Sequence, residues 1–503
     1  MTTSLSAAEV DPTSAQMQKP ETRSPSTGFR FRHTLASRFA FLILCVAIVL
    51  SALAYGTVHY WALAIFSLGA AAMVGLWVLD GWGLGFLRLS RNSLQLPLLG
   101  LLALGLVQLL PLRNAEGGAG LTVAAVRSLS FDPYSTRLFL VQAAALFIYF
   151  AAALVFTDTP HRLRLLVRTI TIFGFFLALF GLTQSFTSPN KVYWVRELAQ
   201  SSAFGPFINR HHFAGYMELT IALPLGLIFA GAIEKEKRFI YLFAAGLMAV
   251  ALIMTNSRGG IISLVAEVLF LAVIGGIRRR KRSEEKTRRG PGTAARTALA
   301  LALIVVFFAG VVLLGGEGAL SRFVGTVNTE DPTTGRAHFW SVTVDIIKAH
   351  PFLGTGLGGF GLVYTRYDSR NGLFRLEQAH NDYLQILSDA GIIGAGMALL
   401  FVILLFHRAF VRRESRDDFR RGVCIGALSG CFAVLVHSFF DFTLHTTSNA
   451  LLFLVLAALA TMNGRVEQPQ ARRRRRRRSA APTTSTPMTP TQEPVEVSEP
   501  ARV

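Results

Sequence analysis

Five short stretches of this 503-residue chain hold most of the side chains able to do chemistry. They are FINRHHFAGYMEL, TNSRGG, GRAHFW, AHNDYLQ and HSFFDFTLH. In the second, Arg258 stands where one apolar run ends and the next begins. An arginine there can simply reach water along its own stem. A charge so close to an apolar core is also expensive and often functional. Gly259 and Gly260 are expected to let the backbone turn tightly and leave the guanidinium facing a cavity. In the third, Arg336 opens a helix expected from Gly335 to His350 and ended by Pro351. A helix N-terminus favours an anion, although a lone arginine there also reads as a solvated surface residue. Trp340, Val344 and Ile347 fall at helical spacing and give this helix one apolar face, suited to lying on a membrane or covering a bundle.

His380, beside Asn381 and Asp382, is a candidate general base for an acceptor hydroxyl, because imidazole changes charge near neutral pH. Standing alone it would read as structural. Asn209, Arg210, His211 and His212 precede a run that contains Glu218, and could be interfacial anchors or ligands. His437, Asp441 and His445 are four apart, so on one continuous helix they would share a face and could hold a metal. A short turn between apolar runs speaks against such a helix, and no metal is assigned. Glu267 lies inside an apolar run and is expected to face the protein interior. Gly354, Gly356 and Gly359 match G-x-G-x-x-G, but they follow a helix and lack both a βαβ context and a Gly-Lys-Ser/Thr ending. A flexible turn is expected there, with no dinucleotide.

The elements that must position these residues are apolar. Hydrophobic residues make up 52% of the chain and charged ones 16%, with a mean hydropathy of +0.45; soluble chains carry about 25% charged residues. Twelve runs are long enough to be membrane helices. They begin near Phe39, Tyr60, Leu94, Leu138, Leu165, Phe213, Phe239, Gly260, Thr297, Gly391, Gly422 and Asn449. The expected fold is an all-α polytopic bundle of about twelve transmembrane helices, with a long periplasmic loop, 316–383, containing short helices. The membrane domain is 38–464. The tails 1–37 and 465–503 read as disordered and cytoplasmic, the second strongly basic. Residues 1–37 do not read as a cleaved secretory signal. Three scattered cysteines, Cys45, Cys424 and Cys431, exclude a disulfide or zinc framework.

The net charge of +20 is concentrated in three places: 278–296, 407–421 and the run Arg472–Arg478, together +17 of the total. With twelve spans all three fall on the side of the N-terminus, as do Arg88, Arg91, Arg162, Arg164, Lys235, Lys237 and Arg238. Basic loops mark the cytoplasmic face, so both termini are expected inside and the five chemical stretches outside.

Taken in order, FINRHHFAGYMEL, TNSRGG, GRAHFW with HPFLGTGLGGF, AHNDYLQILSDAGIIG and HSFFDFTLHTTSNALLF resemble the O-antigen ligase and O-antigen polymerase superfamily of bacterial membrane proteins, over about 200–460. SFDPYSTR at 130–137 is a weaker match. The resemblance implies a metal-independent, inverting glycosyltransferase of the inner membrane without a cofactor. It would work at the periplasmic face on a glycan carried by undecaprenyl pyrophosphate. It further implies that Arg258 and Arg336 bind the pyrophosphate and that His380 assists the acceptor hydroxyl. Asn209, Arg210, His211, Asn381 and Asp441 would line the donor or acceptor site. His211 departs from the asparagine frequent in such sequences. The acceptor could be lipid A core, a growing polysaccharide or a protein. The alternative is a secondary transporter of an anionic solute, which suits Glu218 and Glu267 but lacks an inverted repeat. The arginine run in a polar tail gives no ground for a nucleic-acid partner.

Overall fold

The computed structural model describes residues 33–112, 128–189, 191–198, 203–277, 336–369, 376–415 and 417–462. The run near Thr297, the basic stretch 278–296, most of both tails and the first part of the 316–383 loop lie outside the described residues.

The described chain is all-α apart from a two-stranded hairpin of Lys191–Val192 and Arg196–Glu197. Five helices come first: α1 (Leu35–Leu53), α2 (Tyr60–Leu84), α3 (Gln95–Gln108), α4 (Pro133–Phe156) and α5 (Pro160–Thr187). Then follow α6 (Arg210–Ala230), α7 (Lys235–Met254) and α8 (Arg258–Ile277). Two short helices, α9 (Arg336–Ala349) and α10 (Phe360–Tyr367), lead to α11 (Asp382–Arg412), α12 (Asp418–His437) and α13 (Thr447–Thr461). Eleven of the twelve expected runs coincide with helices.

Among the described residues, eight helices are long and apolar enough to cross a membrane. The protein is an all-α polytopic membrane protein. Two further apolar helices are short: α3 has 14 residues and α13 has 15. At 1.5 Å per residue each is about 20 Å long, less than the ~30 Å hydrocarbon core.

Packing places α6 at the centre. Every residue from His212 to Ala230 is buried, as is all of α13. By contrast α2 turns Trp61, Ile65, Leu68, Leu79 and Trp82 outward, the apolar exposure a lipid-facing helix requires. The α6–α12 seam is built on small residues. A Cβ on Gly422 would lie 2.9 Å from Leu227 Cα, and one on Gly430 2.7 Å from Ala222 Cβ. Close backbone approach of this kind lets membrane helices gain packing where the hydrophobic effect supplies little.

The helices alternate in direction, so the two ends of the bundle differ. One end gathers the start of α1 and the ends of α2 and α4. There Arg88 pairs with Asp80 (2.7 Å) and Asp158 (2.9 Å), and Arg162 with Asp158 (3.3 Å). Arg88 and Arg162 are therefore partly buried and neutralised in place. The other end gathers the N-termini of α6, α8 and α11 and the C-terminus of α12, which carry the candidate residues.

Two expectations about local structure change. The apolar stripe Trp340, Val344, Ile347 is not the face that α9 packs. Val342, Thr343 and Ile346 are buried, while Val344 is exposed. The packed face meets Phe360, Val363, Tyr364 and Ala379, so neighbouring protein chose the face. The glycine-rich segment is a turn, but a fixed one. Thr355 and Gly356 donate backbone N–H groups to Ser388 and Asp389 carbonyls (2.9 and 3.0 Å), and Gly358 N–H to the Asp389 carboxylate (3.1 Å). Gln108, at the end of α3, donates to the carbonyls of Leu353 (2.7 Å) and Asp389 (2.9 Å). The segment docks where α11 breaks at Gly391, whose φ of 62° and ψ of −166° suit only glycine. The apolar run expected to begin near Gly391 thus starts at this break, with a shorter helical piece from Asp382 before it.

Candidate active site

The site is assembled from helix beginnings, and each has a sequence reason to begin where it does. Asn209 caps α6 by accepting the His211 N–H (2.9 Å). Ser257 caps α8 by accepting the Gly260 N–H (3.2 Å). Asn381 caps α11 by accepting from Tyr383 (3.0 Å) and Leu384 (3.1 Å). Asn and Ser favour these positions because a short polar side chain satisfies N–H groups that have no partner within the helix. Arg336 is the first residue of α9. Four helix N-termini, each carrying partial positive charge, therefore meet around one group.

That group is Asp441, in the turn after α12, with its side chain 1% exposed. One oxygen, Oδ1, lies 3.2 Å from His380 Nδ1 and accepts the Phe442 N–H (2.9 Å). The other, Oδ2, lies 3.3 Å from Arg336 Nη2 and 3.7 Å from His211 Nδ1. Arg336 Nη1 donates to the Phe440 carbonyl. The side chains of Arg336, His380 and His211 keep 23%, 25% and 22% of their surface. A buried carboxylate thus sits beneath a rim of cationic or ionisable groups that remain within reach of a ligand. Burial opposes the Asp441 charge, but the His380 hydrogen bond and the charges of His211, His380 and Arg336 outweigh it. They hold the carboxyl well below the usual carboxylate range.

His380 is placed with care. Its φ of 51° is left-handed, a conformation that costs a non-glycine residue about 1–3 kcal/mol and persists only where neighbours impose it. Those neighbours are visible. Trp340 Nε1 donates to the Ala379 carbonyl (3.1 Å), and the Ala379 N–H donates to Gln385 Oε1 (2.7 Å). The imidazole stacks on Phe339 (6.3 Å between centroids) and meets Phe442 edge-on (4.8 Å). An anionic Asp441 accepting from Nδ1 fixes the tautomer that leaves a lone pair on Nε2.

Beside this group lies a second, fully buried pair. Glu218 Oε1 is 2.7 Å from His437 Nδ1, and both side chains are 0% exposed. Ser257 Oγ lies 2.8 Å from His211 Nδ1 and 3.5 Å from His437 Nε2. Gly259 and Gly260 are helical, and the left-handed residue in this turn is Asn256, with φ 54°. The two glycines admit neighbours: a Cβ on Gly259 would lie 2.7 Å from His437 Cδ2, and one on Gly260 2.9 Å from Ala214 Cβ. Turning freedom is therefore not what they supply. Arg258 follows Ser257 as the first residue of α8, half-buried at the edge of the cluster.

The structure brings Arg336, His380 and His211 onto one carboxylate, that of Asp441. Arg210 and Arg258 each neighbour a member of the cluster along the chain. Asn209 and Asn381 act as caps, and Asn381 also donates to the Phe439 carbonyl (3.2 Å). The triplet His437, Asp441 and His445 does not converge. After α12 ends at His437, the chain turns so that His437 faces Glu218, Asp441 faces His380, and His445 meets Asp382 (2.8 Å). Among the described residues no three His, Cys, Asp or Glu side chains are placed to hold a metal. Ser257 and the pairing partners of Glu218 and Asp382 were not legible in the sequence. A serine followed by an arginine and two glycines gives, at most, the signal of a helix cap.

Residues 243–399 match the O-antigen ligase family. Over this stretch, less than half of the chain, the match supports a relationship to the O-antigen ligase superfamily. The matched region contains Arg258, Arg336, His380 and Asn381, whereas Asn209, Arg210, His211 and Asp441 lie outside it. No curated protein matches the sequence. An O-antigen ligase domain on apolar helices is the signature of a membrane protein of polysaccharide biosynthesis, and it points to glycan transfer.

Proposed function

We propose that this protein is a glycosyltransferase of the bacterial inner membrane. It transfers a glycan from undecaprenyl pyrophosphate to an acceptor hydroxyl at the periplasmic face. The observation that carries this reading is the Asp441 carboxylate, shared between the imidazole of His380 and the guanidinium of Arg336.

The acceptor hydroxyl gives its proton to His380 Nε2 as its oxygen attacks the anomeric carbon. The bond from that carbon to the pyrophosphate oxygen breaks, and direct displacement inverts the anomeric centre. Asp441 stabilises the imidazolium that forms and keeps the ring in place. Arg336 uses part of its N–H fork on Phe440 and Asp441, and the rest remains for a phosphate oxygen. Arg258 supplies a second guanidinium at the start of α8. Helix N-termini add to the attraction for the pyrophosphate, and fixed charges facing a leaving group lower the barrier without reorganising. These groups provide the acid–base and charge stabilisation without a metal ion or cofactor. The 316–383 loop, through α9 and α10, covers the donor.

The charge distribution of the same bundle supports an orientation. The basic residues of 407–421 and Arg88, Arg162 and Lys235 lie at the end opposite the site, which supports cytoplasmic termini and a periplasmic site. The acceptor class, whether lipid A core, growing polysaccharide or protein, is open to the same chemistry.

A transfer assay with purified protein and an undecaprenyl-pyrophosphate glycan tests the reading. Turnover is expected to fall by at least about 100-fold in His380→Ala and to survive EDTA. Full activity in both His380→Ala and Arg258→Ala would overturn it.

A further inference from the structure

The transfer mechanism makes no use of the buried Glu218–His437 pair, nor of Ser257, which joins it to the site. Four groups line up across three helices: Glu218 on α6, His437 on α12, Ser257 at the start of α8, and His211 on α6 again. The contacts are 2.7 Å, 3.5 Å and 2.8 Å in that order. Ser257 Oγ already accepts the Gly260 N–H, so its own proton is left to point at one imidazole or the other. Glu218 and His437 are 0% exposed, yet Glu218 Oε2 has no hydrogen-bond partner among the described residues. A pair kept only for stability would have both oxygens satisfied, because half-satisfied buried ions are destabilising.

We propose that Glu218 and His437 hold a proton that reaches His211 through Ser257, making His211 cationic as the pyrophosphate departs. The inference rests on the reading of the site as a pyrophosphate-releasing transferase. With Glu218 ionised, its carboxylate accepts from His437 Nδ1, and His437 Nε2–H donates to Ser257. The Ser257 hydroxyl donates to His211 Nδ1. In the transfer, the N–H bond at His437 Nε2 breaks and an O–H bond forms at Ser257. The original Ser257 O–H breaks and an N–H forms at His211 Nδ1. Nothing is oxidised or reduced; one proton and one positive charge move from His437 to His211. The Nδ1–H facing Glu218 stays where it is, and the proton returns when the product leaves.

The destination suits a positive charge only once an anion is bound, because three of the four groups facing it are basic and Asp441 alone is an anion. Facing His211 are Asp441, Arg210, Arg336 and His437, with Ser257 and the start of α8 beside it. Facing His437 are Glu218, Asp441 and Asp382. When pyrophosphate brings negative charge to Arg336 and Arg210, a cation on His211 is favoured at the rim. When the rim is empty, the same proton is better held beside Glu218. His211 is therefore a catalytic residue in this proposal, and Glu218, His437 and Ser257 are positioning residues for its proton.

The test compares kcat and KM from pH 5.5 to 9 for wild type, Glu218→Gln, Ser257→Gly, Ser257→Thr and His380→Ala, using an undecaprenyl-pyrophosphate glycan as the donor. Glycine is nearly as good a cap as serine, so Ser257→Gly removes the hydroxyl with little effect on α8. Both Glu218→Gln and Ser257→Gly are expected to lower kcat at least about tenfold, leave KM for the donor nearly unchanged, and move the pH optimum downward. Bulk protons then charge His211 directly. Ser257→Thr keeps the hydroxyl and is expected to restore the wild-type profile. Wild-type kcat in Ser257→Gly, or an equal loss at every pH, would overturn the relay. If that occurs while His380→Ala is inactive, the relay alone falls; if His380→Ala keeps full activity, the reading of the site falls with it.

Discussion

Replacing Asp441 by asparagine is the perturbation that separates geometry from charge at the site. The two side chains have almost the same shape, so the turn after α12 keeps its packing. With its amide turned toward Arg336, the Asn Oδ1 can still accept the Phe442 N–H now held at 2.9 Å. The amide group faces either His380 Nδ1, at 3.2 Å, or the cations on the other side, Arg336 at 3.3 Å and His211 at 3.7 Å. Facing His380, an amide N–H donates to Nδ1 and forces the proton onto Nε2, where the acceptor's proton should go. Facing Arg336, donor opposes donor. The first orientation removes the base, and the second keeps the tautomer but removes the charge that stabilises the imidazolium; general-base catalysis is worth about 10²–10⁴ in rate, or roughly 3–5 kcal/mol at 1.36 kcal/mol per tenfold. Arg336 also loses a charged partner, and a hydrogen bond to a charged group contributes about 1.5–3 kcal/mol. Single-turnover transfer by purified Asp441→Asn, with its thermal unfolding measured alongside, is expected to show a kcat loss of at least about 100-fold. A folded Asp441→Asn protein with kcat within about threefold of wild type, about 0.7 kcal/mol, would refute the assigned role of the carboxylate.

Other perturbations separate the parts. Arg336→Lys keeps the charge but not the fork that reaches both Phe440 and Asp441, and should raise KM for the donor about tenfold or more; an unchanged KM speaks against donor contact. Gly259→Ala places a Cβ 2.7 Å from the His437 ring and 2.9 Å from Phe440 Cβ, an overpacking of about 1–3 kcal/mol that should lower both melting temperature and activity. Gly391→Ala puts a side chain at φ 62°, ψ −166° and should lower the melting temperature further, with loss of folded protein. For pH, burial alone lowers the His445 pKa, but the hydrogen bond and charge of Asp382, with Asp389, raise it above the ordinary histidine value. A raised folded pKa contributes stability fully below about pH 6.5, the unfolded value, and loses it as pH rises through the folded value. Melting temperature should therefore fall between neutral and alkaline pH in wild type, and fall less in His445→Gln.

The membrane architecture was legible because a bilayer demands long apolar runs, and runs are visible without a fold. Their order also let the charges be placed, and the structure keeps those at 407–421 opposite His380. The site was legible as residue types but not as contacts. Arg336, His380 and Asp441 are far apart in the chain, and nothing in their spacing says that one carboxylate joins them. Local reasoning failed where a neighbour decided the outcome. The α9 stripe was read from periodicity alone, yet α10 and the turn before His380 selected another face. Gly259 and Gly260 looked like hinge glycines, but they are small because His437 and Ala214 sit against them. Glu218 read as a lone acid in an apolar run, since its partner His437 lies across a helix interface.

The central claim is that His380 takes the acceptor's proton, and chemical rescue tests it most directly. His380→Gly leaves space beside Asp441 for a free imidazole. Glycan transfer by this variant should be at background without imidazole, and should return on its addition, faster with imidazoles of higher pKa. Transfer at the wild-type rate by His380→Gly with no added base would contradict it.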